Sequence, residues 1–173
     1  QGGGLVVAQV DSASGAAIEL ATVPLNDTVI PPKYLASAYF PRLCVAPDHM
    51  RFAAVYTYAG RVDIFSSNGS LIAYGRVPFS FQPYLTNNPI TRQLGFRGGE
   101  PEVRTGYNDC AATKERLYAL YDGRLNGRRT DPKPPQQSAL HVFDSSGNLL
   151  RVFTLDHGGY TLSVPPGDSV LYT

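Results

Sequence analysis

Few residues in this chain are of types that do chemistry. There are two cysteines, Cys44 and Cys110, and three histidines, His49, His141 and His157. Two thiols can pair or bind metal, and an imidazole can ligate a metal or carry a proton near neutral pH. The spacing serves metal chemistry poorly. No histidine has a partner four residues on, and neither cysteine has one at a zinc-ligand interval. Asp48-His49 reads as part of a tight turn, and His141 as a strand residue whose ring packs in the ordinary way. Phosphate-binding loops, Gly-x-Gly-x-x-Gly, His-Glu-x-x-His and Gly-x-Ser-x-Gly are all absent. The sequence therefore predicts no catalytic residue, no metal site and no cofactor.

Other clusters suit binding better. Arg124, Arg128, Arg129 and Lys133, with Pro134-Pro135, make a basic, proline-rich loop. These four are the candidate ligand-binding residues, able to grip an acidic partner or a glycan; a solvated loop is the plainer reading. Tyr56, Tyr58, Tyr74, Tyr118 and Tyr121 can stack on sugars. Tyr118 and Tyr121 fall in a strand expected to pack on both faces, so core packing with a tethered hydroxyl fits them better. Gly167-Asp168-Ser169 matches the nucleophile triplet of one hydrolase class, and Asn26-Asp27-Thr28 and Asn68-Gly69-Ser70 match the glycosylation sequon. Turn chemistry already accounts for the triplet and for Asn68.

Composition says which elements must carry these residues. Only 17% of the 173 residues are charged, while 17 Gly, 14 Pro and 11 Tyr favour short strands and turns over long amphipathic helices. A net charge of +1 gives no footprint for nucleic acid, and no apolar run approaches the roughly 18 residues of a membrane helix. The first residue is Gln1 and the one methionine is Met50, so residues 1–173 read as a mature or trimmed product or as part of a longer chain, with any signal upstream.

An internal repeat organises the chain. Leu43-Cys44-Val45-Ala46-Pro47-Asp48 through Tyr56 aligns with Asp109-Cys110-Ala111-Ala112 through Tyr121 at a spacing of 66 residues, and again with Leu162–Thr173. Each copy is a small-residue strand, a polar turn and a second strand. A second half-repeat follows the first two copies: Val62–Tyr74 with Asn68-Gly69, and Leu140–Val152 with Ser146-Gly147. Gly69 and Gly147 supply the positive φ that such hairpins need. Together the halves make four-stranded antiparallel sheets, the blades of a β-propeller, with about three blades in the chain.

The N-terminal segment Leu5–Leu20 offers the second half alone and the C-terminal segment the first half alone, so the termini are expected to join in one blade or, in a trimmed chain, to belong to different blades. Strands are also expected at Tyr160–Val164 and Val170–Thr173. Residues 81–109 form a long irregular inter-blade segment, and residues 124–138 a surface loop inserted within a blade. Cys44 and Cys110 occupy equivalent places in the first strands of neighbouring blades. Equivalent positions diverge around the axis, which predicts two buried free thiols beyond disulfide reach.

Gly106-Tyr107-Asn108-Asp109, Arg116-Leu117-Tyr118-Ala119-Leu120-Tyr121-Asp122-Gly123 and Leu140-His141-Val142-Phe143-Asp144-Ser145-Ser146-Gly147-Asn148-Leu149 together resemble the TolB-like six-bladed propeller family, over roughly Val62–Thr173. These residues shape strands and turns. The resemblance implies the carboxyl-terminal half of a ring, and an envelope setting like that of many bacterial lipoproteins of unknown function. It carries over no catalytic residue.

The functional expectation is a non-catalytic scaffold binding a protein or glycan in the bacterial cell envelope or periplasm, with any lipid anchor upstream of Gln1. The alternative is a propeller hydrolase or lactonase with a metal in the central channel. That would need carboxylates or Asn and His on the innermost strands, which instead offer small apolar residues. A three-blade arc also predicts bare apolar faces on Phe52–Tyr58 and Leu149–Leu155, and hence self-association or a missing remainder of the ring.

Overall fold

The computed structural model describes residues 4–24, 30–75, 77, 80–87, 94–96, 102–125, 138–156 and 158–165. Two four-stranded antiparallel sheets dominate. The first runs β3 (Pro41–Val45), β4 (Arg51–Tyr56), β5 (Val62–Ser66) and β6 (Leu71–Tyr74), side by side in chain order. The second repeats this meander with β9 (Tyr107–Ala112), β10 (Arg116–Tyr121), β11 (Ala139–Asp144) and β12 (Leu149–Thr154). A hairpin of β1 (Gly4–Val10) and β2 (Ala17–Pro24) forms the half-sheet predicted for the N-terminus.

Burial follows position in each sheet. The central strands are near-continuous apolar runs such as Phe52-Ala53-Ala54-Val55-Tyr56, buried on both faces. Strands β3, β6 and β12 are largely exposed. The two sheets face one another across a core of Val55, Val62 and Ile64 from the first and Tyr107, Leu117, Ala119 and Phe143 from the second. Strands β3 and β9 come together along this seam, and the Cys44–Cys110 disulfide joins them with Cα atoms 5.9 Å apart. The expected free thiols are therefore incorrect. First strands lie where neighbouring sheets crowd closest, and divergence is felt only further out; 5.9 Å is within the usual disulfide span.

The hairpin turns follow the sequence. Gly69 has φ 83° and Gly147 φ 77°, each closing its turn by donating its N–H to a carbonyl three residues back, Ser66 and Asp144. Asp48 caps its own turn by accepting the Met50 N–H at 3.0 Å, which leaves His49 at φ 58° as a turn residue.

The outer sheet faces depart from expectation. Phe52, Ala54, Tyr56 and Phe65 are buried beneath a short helix, α1 (Leu35–Tyr39), whose Leu35, Ala38 and Tyr39 join Ile30 against them. Phe52 and Phe65, paired across β4 and β5, stack with ring centroids 4.9 Å apart. The outer face of the second sheet is covered in part by the segment after β12, where Leu162, with Leu155 and Val164, packs on Tyr118, Leu120, Leu140 and Val142. Thus the face of Phe52–Tyr58 is not bare. Along β12, Leu150, Val152 and Phe153 are exposed.

Tyr160–Val164 is not a strand: it holds a single bridge residue, Ser163, because its residues serve as cover. The expected strand Val170–Thr173 lies outside the described residues, and among those residues β1 and β2 pair only with each other. Residues 81–109 contain a short hairpin of β7 (Leu85–Asn87) and β8 (Leu94–Phe96) before β9 begins. The stretch 124–138 connects β10 to β11.

Candidate functional site

The buried ionisable groups have structural partners. Asp63, wholly buried in β5, accepts the Tyr56 hydroxyl at 2.7 Å and the Arg61 Nε at 2.8 Å. Burial raises the Asp63 pKa above its ordinary value, against the opposing pull of Arg61 and Tyr56. Arg61 also lies over the Tyr74 ring, 5.0 Å from its centroid. In the second sheet Arg124 clamps Asp122 through Nε and Nη2, and Asp109 accepts the Leu162 N–H at 2.8 Å. A carboxylate tied in this way fixes a chain crossing and is badly placed for acid–base work.

His141 is buried, shares a 3.0 Å hydrogen bond between its Nδ1 and the Tyr107 hydroxyl, and stacks on Tyr121 with centroids 5.1 Å apart. Burial lowers its pKa to about 4, so the ring is neutral near pH 7. Burial also raises the pKa of Tyr107 and of Tyr121. Tyr118, Tyr121 and Tyr56 are core residues, whereas Tyr74 is half exposed.

A cleft opens where three connections meet at one end of the sheets. Gly60 of the β4–β5 turn donates its N–H to the Phe81 carbonyl at 3.1 Å, drawing the β6–β7 connection over that end. Arg104 and Leu125 form an antiparallel bridge, and Thr105 N–H donates to the Arg124 carbonyl at 2.7 Å, bringing the start of β9 beside the end of β10. Gly106 makes this crossing possible: its N–H donates to the Thr57 carbonyl at 2.6 Å, and a Cβ there would sit 2.3 Å from the Ala59 oxygen. Phe81–Leu85, Glu102, Arg104 and Leu125 line the resulting cleft of about 390 Å³. That lies within the roughly 300–1,000 Å³ of small-ligand sites. At the opposite end, the groove beside Ala46, Arg51, Ala53 and Ala112 measures about 30 Å³, room for little more than a water.

The cleft wall is both anchored and polar. The Arg104 charge opposes the rise that burial imposes on the Tyr121 pKa, and its guanidinium lies 5.6 Å from the Phe81 ring centroid. Gln82 is fixed by the Tyr39 hydroxyl, which donates to its Oε1 at 2.7 Å. Tyr84, 43% exposed, presents an aromatic ring, and Leu125 an exposed apolar side chain. Glu102 completes the set as an exposed carboxylate.

Of the basic residues singled out in the sequence, Arg124 is engaged with Asp122 next to the cleft residue Leu125. Arg128, Arg129 and Lys133 lie outside the described residues, as do His157, Gly167-Asp168-Ser169 and Asn26-Asp27-Thr28. Gln82, Tyr84, Glu102 and Arg104 escaped notice in the sequence. They belong to the long irregular segment 81–109, whose length was the signal; the pairing that gathers them has no local motif. Among the described residues, no three His, Cys, Asp or Glu side chains are grouped to hold a metal, and no helix is long and apolar enough to cross a membrane.

No curated protein and no solved structure matches the chain. A family model does, the one described as TolB-like 6-blade propeller-like, over residues 34–165. The match starts beside α1 and ends in the cover segment after β12, so it takes in both four-stranded sheets, their disulfide and the cleft. The chain belongs to the TolB-like six-bladed propeller family.

Proposed function

We propose that this chain is a non-catalytic binding module whose recognition face is the loop end of the two sheets, where it holds a protein or glycan. The observation that carries the reading is the 390 Å³ cleft with a fixed Gln82 amide and exposed aromatic surface. The basic stretch with Arg128, Arg129 and Lys133 follows the cleft residue Leu125 in the chain. Commitment of Asp63, Asp109 and Asp122 to structural contacts favours binding over hydrolysis.

An inter-sheet disulfide suits an oxidising compartment, since such bonds are rare in the cytosol. We therefore place the protein in the cell envelope or periplasm, within a larger ring. The test is a nitrogen–proton NMR titration of the 173-residue chain with a soluble extract of bacterial envelope peptides and glycans. Shifts should gather on Phe81–Leu85 and Glu102–Arg104. Shifts confined to the far turns at Asp48, Gly69 and Gly147, or none at all, would overturn the assignment.

A further inference from the structure

We infer that the cleft at the loop end binds a neutral sugar unit of a glycan, with Tyr84 as stacking platform and Gln82, Glu102 and Arg104 as hydroxyl-binding groups. The inference rests on the proposed binding role and names its ligand class.

Three features lead to it. The first is charge balance: among the described residues that line it, the cleft carries one carboxylate, Glu102, and one guanidinium, Arg104, two residues apart along the same wall. An anionic ligand meets Glu102 and a cationic one meets Arg104, whereas a hydroxyl can donate to the first while accepting from the second. Vicinal hydroxyls on a sugar ring make such paired contacts with planar groups.

The second feature is preorganisation. The Arg104 guanidinium lies over the Phe81 ring, 5.6 Å from its centroid. Gln82 accepts from Tyr39 through Oε1, which turns its amide nitrogen, a double donor, to the other side. Fixed donors lose little entropy on binding, which matters for a ligand whose hydroxyls are already well hydrated.

The third feature is shape and surface. Tyr84 is 43% exposed, beside Pro83 and near the exposed Leu125. An aromatic ring with an apolar face suits the C–H face of a sugar ring, with the rim left for polar contacts. A cleft of about 390 Å³ admits a small ring system. A folded protein partner instead needs a surface of about 800 Å² on each side.

Saturation-transfer NMR and calorimetry on the 173-residue chain would test the inference, with maltotetraose, cellotetraose, chitotetraose and mannotetraose as neutral probes. Tetragalacturonate is the anionic probe and a mixed hexapeptide library the peptide probe. At least one neutral tetrasaccharide should receive saturation at its ring C–H protons. Tyr84→Ala should weaken it at least tenfold, and Glu102→Gln and Arg104→Gln should each weaken it several-fold. Leu150→Ala, on the far strand β12, should leave the affinity unchanged. An unaltered thermal midpoint in each variant shows that the fold is intact.

Tighter binding of tetragalacturonate than of every neutral probe would overturn the neutral assignment, and silence from all five saccharides would overturn the sugar assignment. Peptide binding that is lost in Tyr84→Ala would do the same while leaving the binding role standing. Silence from every saccharide and peptide would remove both.

Discussion

Cys44 and Cys110 stand at equivalent places in two repeats, and their side chains meet across the seam between β3 and β9. The bond joins the first strand of one sheet to the first strand of the next. It closes a loop that contains the whole of β4–β8, including the residues that line most of the cleft.

The protein purified without reductant should therefore weigh two hydrogens less than the reduced chain and carry no free thiol in denaturant. A covalent loop spanning 66 residues restricts the unfolded chain. In the chain-entropy account this is worth about 4 kcal/mol, and native strain or residual structure can reduce it. The Cys44→Ser, Cys110→Ser double variant should lose about 2–4 kcal/mol in urea unfolding. Two reactive thiols in the untreated protein would show that the bond is absent.

Gly147 should be intolerant of a side chain for two reasons that add. Its φ is 77°, and a Cβ would come 2.8 Å from the Tyr74 carbonyl oxygen of the neighbouring sheet. Gly147→Val should cost on the order of 1 kcal/mol for the backbone and more for the displaced contact. Gly15, at φ 70° with nothing within 4 Å of an added Cβ, isolates the backbone part. Equal losses from Gly147→Val and Gly15→Val would mean that the two sheets do not touch at this turn.

Stability should rise with pH between about 4 and 6.5 on account of His141. The unfolded ring takes a proton below about 6.5, whereas the buried folded one does so only near 4. The folded state thus binds fewer protons in that window, and its stability falls as pH falls through it, by at most about 3 kcal/mol. His141→Phe keeps an aromatic ring beside Tyr121 but removes the titration. Its urea midpoint should depend less on pH than that of the parent, and parallel profiles would exclude His141 as the titrating group.

The Arg61–Asp63 pair should be asymmetric in its sensitivity. Arg61→Met leaves the fully buried Asp63 carboxylate with Tyr56 but without its counter-charge. Breaking a buried pair in this way costs about 3–5 kcal/mol, while replacing both partners with apolar groups of similar size costs less. The double variant Arg61→Met, Asp63→Leu should therefore unfold at higher urea than Arg61→Met alone. A single variant within about 1 kcal/mol of the parent would show that Asp63 does not depend on Arg61.

Much of the strand framework is legible in the sequence because it is local. Alternation, Gly69, Gly147 and the repeat spacing place β1–β6 and β9–β12 to within a few residues. Helix α1 is five residues long and carries no side-chain cap, so no local signal announces it. It exists because Leu35, Ala38 and Tyr39 find an apolar sheet face to cover. The segment around Leu162 repeats a strand pattern, yet packing on Leu120 and Leu140 overrides the pattern. The cleft was hidden for a related reason: Gln82, Glu102 and Leu125 come from separate connections and meet through backbone contacts made at Phe81, Arg104 and Thr105.

The disulfide sits on the inner edge of the seam, and this gives the sheet pair the mechanics of a bound book. Fluctuations that part the sheets cannot begin at β3 and β9, where the cover is stitched. They begin at the fore-edge, where the turn at Gly147 merely rests on the Tyr74 carbonyl. Breathing is then a one-sided motion with a fixed spine, and amide exchange should fade from β6 and β12 inward. Reduction would cut the stitching and free the pages at both edges, converting a hinged motion into a separation.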